Sequence, residues 1–157
     1  MHYISSMEYN KGQYNFKKDI LTGEQGQEFI IKFMEGKGFK YLGSNDTISH
    51  DLEMSYKGRR VTYEVKTDVY PRDTGNMVIE FECRGKSSGI NATSADYFTY
   101  FFPALGEIWN IECGRLRKLI GELKPHVFLN AGDSGSGTKL YRLKKEEVRD
   151  YFKVHKL

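Results

Sequence analysis

The segment from Asp51 to Lys66 constrains the fold more than any other part of the sequence, because polar and apolar residues alternate on both sides of a short turn. Two alternating segments joined by Lys57-Gly58 predict a β-hairpin. One face of this hairpin is apolar and should face the core; it carries Leu52, Met54, Val61, Tyr63 and Val65. The other face is polar; it carries Asp51, Glu53, Thr62, Glu64 and Lys66.

The exact pairing of the two strands depends on which residues form the turn. If Lys57 and Gly58 are central, Asp51 lies opposite Glu64. If the turn is shifted by one residue, Asp51 lies opposite Lys66 instead. Both registers place the same residues on the polar face, because side chains alternate along each strand.

The polar face has the residue types that metal-assisted hydrolysis requires. Opposed side chains on a hairpin have Cβ atoms about 5 Å apart, so Asp51 and Glu64 are close enough to share a divalent ion. Lys66 follows Glu64 at about 6.6 Å along the strand. Mg²⁺ would relieve the repulsion between the carboxylates and activate a water molecule, which Lys66 would orient or deprotonate. The competing interpretation is a solvated face with cross-strand ion pairs, which is the commoner case for such a face taken alone.

The rest of the sequence predicts one α/β domain over residues 1–157, with residues 1–15 as an N-terminal arm. Thr22 and Gln25 form a capping-box pattern ahead of an amphipathic helix at 23–36. Further strands are predicted at 39–42, 77–83, 97–102, 108–111 and 138–143, with a short apolar segment at 127–129. Helices are predicted at 114–123 and 144–152, a helical turn at 93–96, a turn at 43–47, and loops at 84–89 and 131–137.

Composition permits a nucleic-acid partner without requiring one, since 24 Lys and Arg face 21 Asp and Glu for a net charge of +3. Cys83 and Cys113 are too few for a disulfide framework, and neither has a second cysteine or a histidine at metal-ligand spacing. The sequence lacks the apolar runs of a signal peptide or a membrane span. We therefore expect a reduced, cytoplasmic setting and no membrane partner.

Asp51 and the triplet Glu64-Val65-Lys66, after an amphipathic helix that ends near Gly38-Phe39, resemble the PD-(D/E)XK nuclease superfamily. The segments EFECRGKSSGI at 80–90 and TSADY at 93–97 look like its small phage-encoded branch, and the helix resembles that of archaeal-type Holliday junction resolvases. The resemblance covers about residues 20–103. It implies a restriction-endonuclease-like core with a central mixed β-sheet flanked by helices. It also implies that Asp51 and Glu64 bind metal and that Lys66 is catalytic.

The helix departs from the family pattern at one position. Relatives usually carry a glutamate two residues before the first apolar pair, and this position is Gln27 here. Gln27 can still offer an oxygen to a metal or its water. Glu24 lies one turn earlier on the same face and is an alternative, whereas Glu28 is rotated by about 100°. Glu24 and Gln27 are therefore candidate supporting residues.

Four basic residues are candidates for contacts with DNA phosphates. Arg84 and Lys86 lie in the glycine-rich segment after a predicted strand, and Arg115 and Lys118 lie on the predicted helix at 114–123. An ordinary solvated loop and a solvated basic helix face are equal alternatives. His50 is expected to be a core-edge or exposed histidine rather than a ligand.

The resemblance therefore implies a Mg²⁺-dependent endonuclease, with Mn²⁺ able to substitute, that hydrolyses DNA phosphodiester bonds. A structure-specific or junction-resolving role is one option within this class. A phage-encoded enzyme would act in the host cytoplasm, and a homodimer would suit a substrate with two strands to cut. The alternative, motivated by Gln27, is a nuclease-fold protein with weakened catalysis that acts as a DNA-binding module.

Overall fold

The computed structural model describes residues 22–47, 50–129 and 135–157. The predicted arm at 1–15 and most of the predicted loop at 131–137 lie outside these ranges. The helices are α1 (Gly23–Gly36), α2 (Cys113–Leu123) and α3 (Lys145–Val148), with 3₁₀ turns at Gly89–Asn91 and Arg149–Tyr151. The first five strands are β1 (Lys40–Thr47), β2 (His50–Tyr56), β3 (Arg59–Thr67), β4 (Asn76–Cys83) and β5 (Lys86–Ser87). The others are β6 (Tyr97–Phe102), β7 (Glu107–Glu112), β8 (His126–Leu129), β9 (Thr138–Lys144) and β10 (Lys153–Lys156).

The central sheet has six strands in the order β1-β2-β3-β6-β7-β10. Strands β3 and β6 are parallel, and the other neighbours are antiparallel, so the sheet is mixed. A second, antiparallel sheet has the order β5-β4-β9-β8. The prediction of an α/β protein with a mixed central sheet flanked by helices is confirmed. The second sheet was not predicted, because sequence alternation does not reveal which strands pair.

Helix α1 covers one face of the central sheet. Thr22 and Gln25 form the predicted capping box at its N-terminus. Its apolar stripe, which includes Phe29 and Ile30, packs on the apolar face of the β2–β3 hairpin. A Cβ atom at Gly26 would overlap the side chain of Thr67, so the glycine allows the helix to approach β3 closely.

The opposite face of the central sheet is covered by α2 and by the second sheet. Phe98 and Trp109 from the central sheet pack there with Leu116 of α2 and with Met77 and Ile79 of β4. Glu64 pairs with Phe98 across the parallel strands, so it belongs to this covered face. The polar face of the hairpin is therefore partly enclosed between two layers rather than fully solvated.

The hairpin has the first of the two predicted registers. Tyr56 pairs with Arg59, and Glu53 pairs with Thr62. Lys57 and Gly58 both have positive φ values, 49° and 79°. A two-residue turn with this geometry matches the right-handed twist of the two strands that it joins.

Several boundaries agree with the predictions. Helix α1 has the predicted bounds, and α2, β4, β6, β7 and β9 each agree to within one residue at either end. The apolar segment at 127–129 lies in β8. In the described part of the chain, no helix combines the length and apolarity that a membrane span requires.

Two predictions based on turn signals are wrong. Residues 43–47 continue β1 rather than forming a turn, and Gly43 lies next to a register shift against β2, where a strand commonly tolerates glycine. The glycine-rich segment at 84–89 is not simply a loop. Arg84 and Gly85 form a tight turn with positive φ, after which β5 pairs back on β4.

Two helical predictions are also wrong. The turn predicted at 93–96 is not helical, because the Asp96 carboxylate accepts hydrogen bonds from the main chain and hydroxyl of Thr62 instead of capping a helix. The helix predicted at 144–152 is limited to α3 and a 3₁₀ turn. The chain then becomes the edge strand β10, which pairs with β7, a tertiary contact that local sequence does not encode.

Candidate active site

Asp51 is held against β3 at the end of the hairpin that is remote from its turn. The paired ladder runs from the turn to Leu52 and Tyr63. Beyond that pair, Asp51 Oδ2 accepts a hydrogen bond from the main-chain N–H of Val65 at 2.8 Å. Because Val65 lies between Glu64 and Lys66, this bond places the Asp51 carboxylate beside both residues.

Glu64 is half-buried between the central sheet and the second sheet. Burial, followed by the nearby negative charge of Asp51, raises the pKa of its carboxyl group to about 7. A hydrogen bond with the Thr93 side chain and the positive charge of Lys66 act in the opposite direction, and the charge of Glu80 raises the pKa further. Asp51 and Lys66 are the two predicted partners of Glu64, and both lie close enough to it to affect its ionisation.

Lys66 shares its face of β3 with Glu64, two residues further along. It is half-buried and pairs with Tyr100 of β6 across the parallel strands. The hydroxyl of Tyr100 contacts the main chain of Val78, so the ring spans the space between the two sheets. Lys66 therefore lies on the face of β3 that the second sheet covers, as Glu64 does.

Glu80 and Thr93 are members of this site that sequence reasoning missed. Glu80 comes from β4 of the second sheet, next to a register shift against β9. Gly89 packs so closely on the main chain of Glu80 that a Cβ there would overlap the Glu80 carbonyl oxygen. The available signal was a carboxylate in the middle of the mainly apolar segment from Met77 to Phe81, but simple alternation groups Glu80 with the exposed Val78 and so gives no reason to place it near Glu64.

Arg117 supports the Thr93 side of the site from α2. Its guanidinium donates to the carbonyl oxygens of Ile90 and Thr93, at 3.1 and 2.6 Å. Thr93 is itself buried and contacts Glu64. Arg117 therefore holds the segment that positions a partner of Glu64.

The two helix candidates lie on the other side of the central sheet. Gln27 donates to Ser44 Oγ at 3.4 Å, and Ser44 pairs with Leu52, the neighbour of Asp51. Glu24 is exposed in the first turn of α1. The start of α1 packs on Thr67, at the same end of the sheet as Asp51 and Lys66. Supporting roles for Glu24 and Gln27 stay predictions.

Glu28 differs from its neighbours on the helix. Its Oε2 atom is buried and has no hydrogen-bond partner among the described residues. Burial of an unsatisfied carboxylate oxygen costs free energy, so this oxygen is suited to a bound water or cation. Glu28 is not among the residues that the sequence pattern predicts for the site, because it is rotated by about 100° on the helix.

The rest of the polar hairpin face has the surface ion pairs that the competing interpretation predicts. Glu53 accepts from Arg60 at 2.6 Å, and its other partner is His50 Nε2 at 2.8 Å. These hydrogen bonds, first from Arg60 and then from His50, lower the pKa of Glu53 to about 2. His50 is buried at the core edge, as expected. The polar face is thus divided into an ion-pair cluster and the Asp51–Glu64–Lys66 group.

The four predicted DNA contacts are all exposed. Arg84 lies in the tight turn between β4 and β5, and Lys86 begins β5, in the sheet that also carries Glu80. Arg115 and Lys118 lie on the solvent side of α2. Their exposure is compatible with phosphate contacts and equally with a solvated surface.

Asp51 and Glu64 fit a magnesium ion by the chemistry of their side chains. Within residues 22–47, 50–129 and 135–157, no three His, Cys, Asp or Glu side chains form a metal-ligand cluster. Mg²⁺ commonly binds through one or two carboxylates, with waters and substrate phosphates completing its octahedron. The pair is therefore a sufficient protein contribution for such an ion.

The fold and the site define an α/β protein with two carboxylates and a lysine collected at one end of a β-hairpin. Comparison with models of protein families, with curated proteins and with solved structures gives no match to this chain. Functional inference therefore depends on the chemistry of the site itself.

Proposed function

We propose that this protein is a metal-dependent endonuclease with a restriction-endonuclease-like core that hydrolyses DNA phosphodiester bonds. The observation that carries the proposal is the hydrogen bond between the Asp51 carboxylate and the Val65 main chain, which sets Asp51 beside Glu64 and Lys66. Two carboxylates and a lysine in this arrangement are suited to phosphodiester hydrolysis by water.

Asp51 and Glu64 are the residues that would hold Mg²⁺, with Mn²⁺ as a substitute. When bound, the cation would lower the pKa of a coordinated water and neutralise charge on a phosphate oxygen. Lys66 would orient the attacking water or stabilise the negative charge that develops on the phosphate. Thr93 would hold the Glu64 carboxylate in position through the hydrogen bond between their side chains.

DNA is proposed as the substrate on the basis of the sequence resemblance, and the exposed cations are compatible with that choice. Arg84 and Lys86 extend from the sheet that contributes Glu80, and Arg115 and Lys118 extend from α2. Phosphate contacts from such residues would position DNA without reading its sequence. A phage-type, junction-resolving enzyme in the host cytoplasm, acting as a homodimer, is the finer form of this proposal.

A second candidate is a DNA-binding module with weakened catalysis. One observation favours it: Gln27 replaces the expected glutamate and is hydrogen-bonded to Ser44. This candidate predicts salt-dependent DNA binding without a metal-dependent product.

The deciding experiment incubates the purified protein with supercoiled, linear and four-way-junction DNA in Mg²⁺, in Mn²⁺ and in chelator. The test variant is Lys66→Ala, and the control is Lys144→Ala, which removes an equal charge from an exposed position on β9. The endonuclease proposal expects cleavage that needs metal, persists in the control and disappears in Lys66→Ala. Binding without cleavage under every condition overturns it in favour of the second candidate.

A further inference from the structure

A groove of about 900 Å³ lies at the turn end of the β2–β3 hairpin. Here it is named the tip groove, and Tyr56, Arg59, Tyr97, Glu112 and Lys153 are among its lining residues. It adjoins the second half of α1, where Lys37 follows the helix. Strand β3 runs from this groove to Lys66, so the tip groove and the candidate active site occupy opposite ends of the same strand.

The tip groove is positively charged. Five cationic side chains line it against the two carboxylates of Asp96 and Glu112. The cations are Lys37, Arg59, Arg60, Arg115 and Lys153. Arg60 pairs with Glu53, but in the described part of the chain the other four cations form no salt bridge. A concave surface with unpaired cations favours an anionic ligand.

The charges of two of these cations act on one histidine ring. His155, in the edge strand β10, has a pKa lowered first by burial and then by the charges of Lys153 and Lys37. The ring of His155 also meets Phe33 of α1 edge to face, with centroids 5.3 Å apart. The groove therefore collects cations from the end of α1 and from the edge strand β10.

Aromatic rings supply the floor and the rim of the tip groove. Tyr97, which is partly exposed, stacks on the buried Tyr63 of the neighbouring strand, with centroids 5.6 Å apart. Tyr151 lies at the rim with 45% of its surface exposed. A groove that combines cations with aromatic rings is the pattern by which proteins bind single-stranded nucleic acids, because phosphates meet the cations and unpaired bases stack on the rings.

We infer that the tip groove binds a single strand of nucleic acid, at a site separate from Asp51, Glu64 and Lys66. A base-paired duplex presents phosphates but keeps its base faces stacked inside, so the accessible rings of Tyr97 and Tyr151 favour an unpaired strand. The segment 1–21 of this chain is a poorer occupant, since it carries three lysines against one glutamate and one aspartate. Like charges on the segment and the groove oppose its binding.

This inference deepens the proposed function, and it rests on that function only for the link to cleavage. If the endonuclease proposal and the strand-binding inference both hold, the preferred substrate is DNA that has an unpaired strand next to the bond to be hydrolysed. Strand binding itself needs neither metal nor hydrolysis. The two proposals can therefore fail separately.

The test measures fluorescence anisotropy of a labelled dT oligonucleotide of about 12 nucleotides, within the site size of such grooves. The full chain is used in chelator, and a duplex of equal length is compared. The variants are Lys37→Ala, Arg59→Ala and Lys153→Ala, singly and combined, with Lys144→Ala as the control of equal charge. Thermal unfolding of each variant verifies that it is folded.

We expect each single variant to weaken strand binding about fivefold and to reduce the salt slope by about 0.7, the value for one phosphate contact on a single strand. The combined variant should lose about 100-fold, while Lys144→Ala stays within about twofold. The wild-type protein should prefer the strand over the duplex, and Tyr151→Ala should reduce that preference.

Equal strand binding by the combined variant and the control overturns the inference and leaves the groove to another occupant, such as segment 1–21 or a second copy of the chain. Preference for the duplex also overturns it. Strand binding without cleavage by the wild type supports this inference while refuting the endonuclease proposal. Metal-dependent cleavage with no contribution from the groove cations to strand binding supports the endonuclease proposal and refutes this inference.

Discussion

The carboxylate of Asp51 accepts a hydrogen bond from the main-chain N–H of Val65, one residue beyond the last pair of the β2–β3 ladder. A side chain thus takes the place that a main-chain carbonyl would occupy if the ladder continued. The main-chain N–H of Val65 does not titrate, and it holds the negatively charged carboxylate of Asp51 between Glu64 and Lys66.

Asp51→Asn should abolish metal-dependent cleavage while preserving the fold. The amide oxygen can still accept from Val65, but the charge that would hold a cation is lost, and we expect a decrease of at least about 100-fold in the cleavage rate. Glu53→Gln is the matched control, because Glu53 shares the strand and face but is paired with Arg60. Cleavage assays on both variants check this; full activity in Asp51→Asn would contradict the assignment of the site.

Stability should fall as the pH rises from about 4.5 to about 7, because the Glu64 pKa is raised to about 7 in the folded protein. In that window the folded state binds more protons than the unfolded state, so each increase in pH favours unfolding. With allowance for solvent screening at this half-buried position, the contribution is about 1–2 kcal/mol. Urea unfolding in chelator at pH 5 and pH 8 should show a smaller loss in Glu64→Gln than in the wild type; equal losses would refute the prediction.

Magnesium should stabilise the protein against heat without any DNA present. A ligand that binds only the folded state stabilises it by about 2.7 kcal/mol when its concentration is about 100 times the dissociation constant. Thermal unfolding with and without Mg²⁺ should therefore show a higher Tm in the wild type and no change in Asp51→Asn. A Tm increase of the same size in both proteins would mean that the ion binds elsewhere.

Sequence alone was sufficient for the elements whose signals are local. The capping box at Thr22 and Gln25 and the alternation from Asp51 to Lys66 predicted α1 and the hairpin, while two hairpin registers stayed open until the structure showed the first. The proximity of Asp51, Glu64 and Lys66 follows from that alternation, because a shared face is a property of the strand period.

The parts that sequence could not provide depend on tertiary contacts. The charge of Glu80 acts on Glu64 because β4 belongs to a second sheet packed on the first, with an irregularity against β9 beside Glu80. Strand β10 forms by pairing with β7, far away in sequence. The cations of the tip groove likewise come from separate elements of the fold, and no local sequence pattern predicts such a surface.

Gly26→Ala should destabilise the protein by about 1–3 kcal/mol, because the added methyl group would overlap the Thr67 side chain and push α1 away from β3. Gly121→Ala in α2 is the matched control. A Cβ there meets no atom within 4 Å, and the better helix propensity of alanine should stabilise the protein by up to about 1 kcal/mol. Urea unfolding of both variants checks the sign; destabilisation of equal size would show that Thr67 is not the cause.

Glu80→Gln should lower the pKa of Glu64, since the charge of Glu80 is one of the influences that raise it. The matched control is Glu82→Gln on the same strand, where the carboxylate is paired with Lys139 at 2.9 Å. Titration of the Glu64 carboxyl by NMR in chelator should show a lower midpoint in Glu80→Gln and an unchanged midpoint in the control. The direction is informative because loss of a structural contact by itself would not favour ionisation of Glu64. An unchanged midpoint in Glu80→Gln would remove Glu80 from the site and restrict the carboxylates that act together to Asp51 and Glu64.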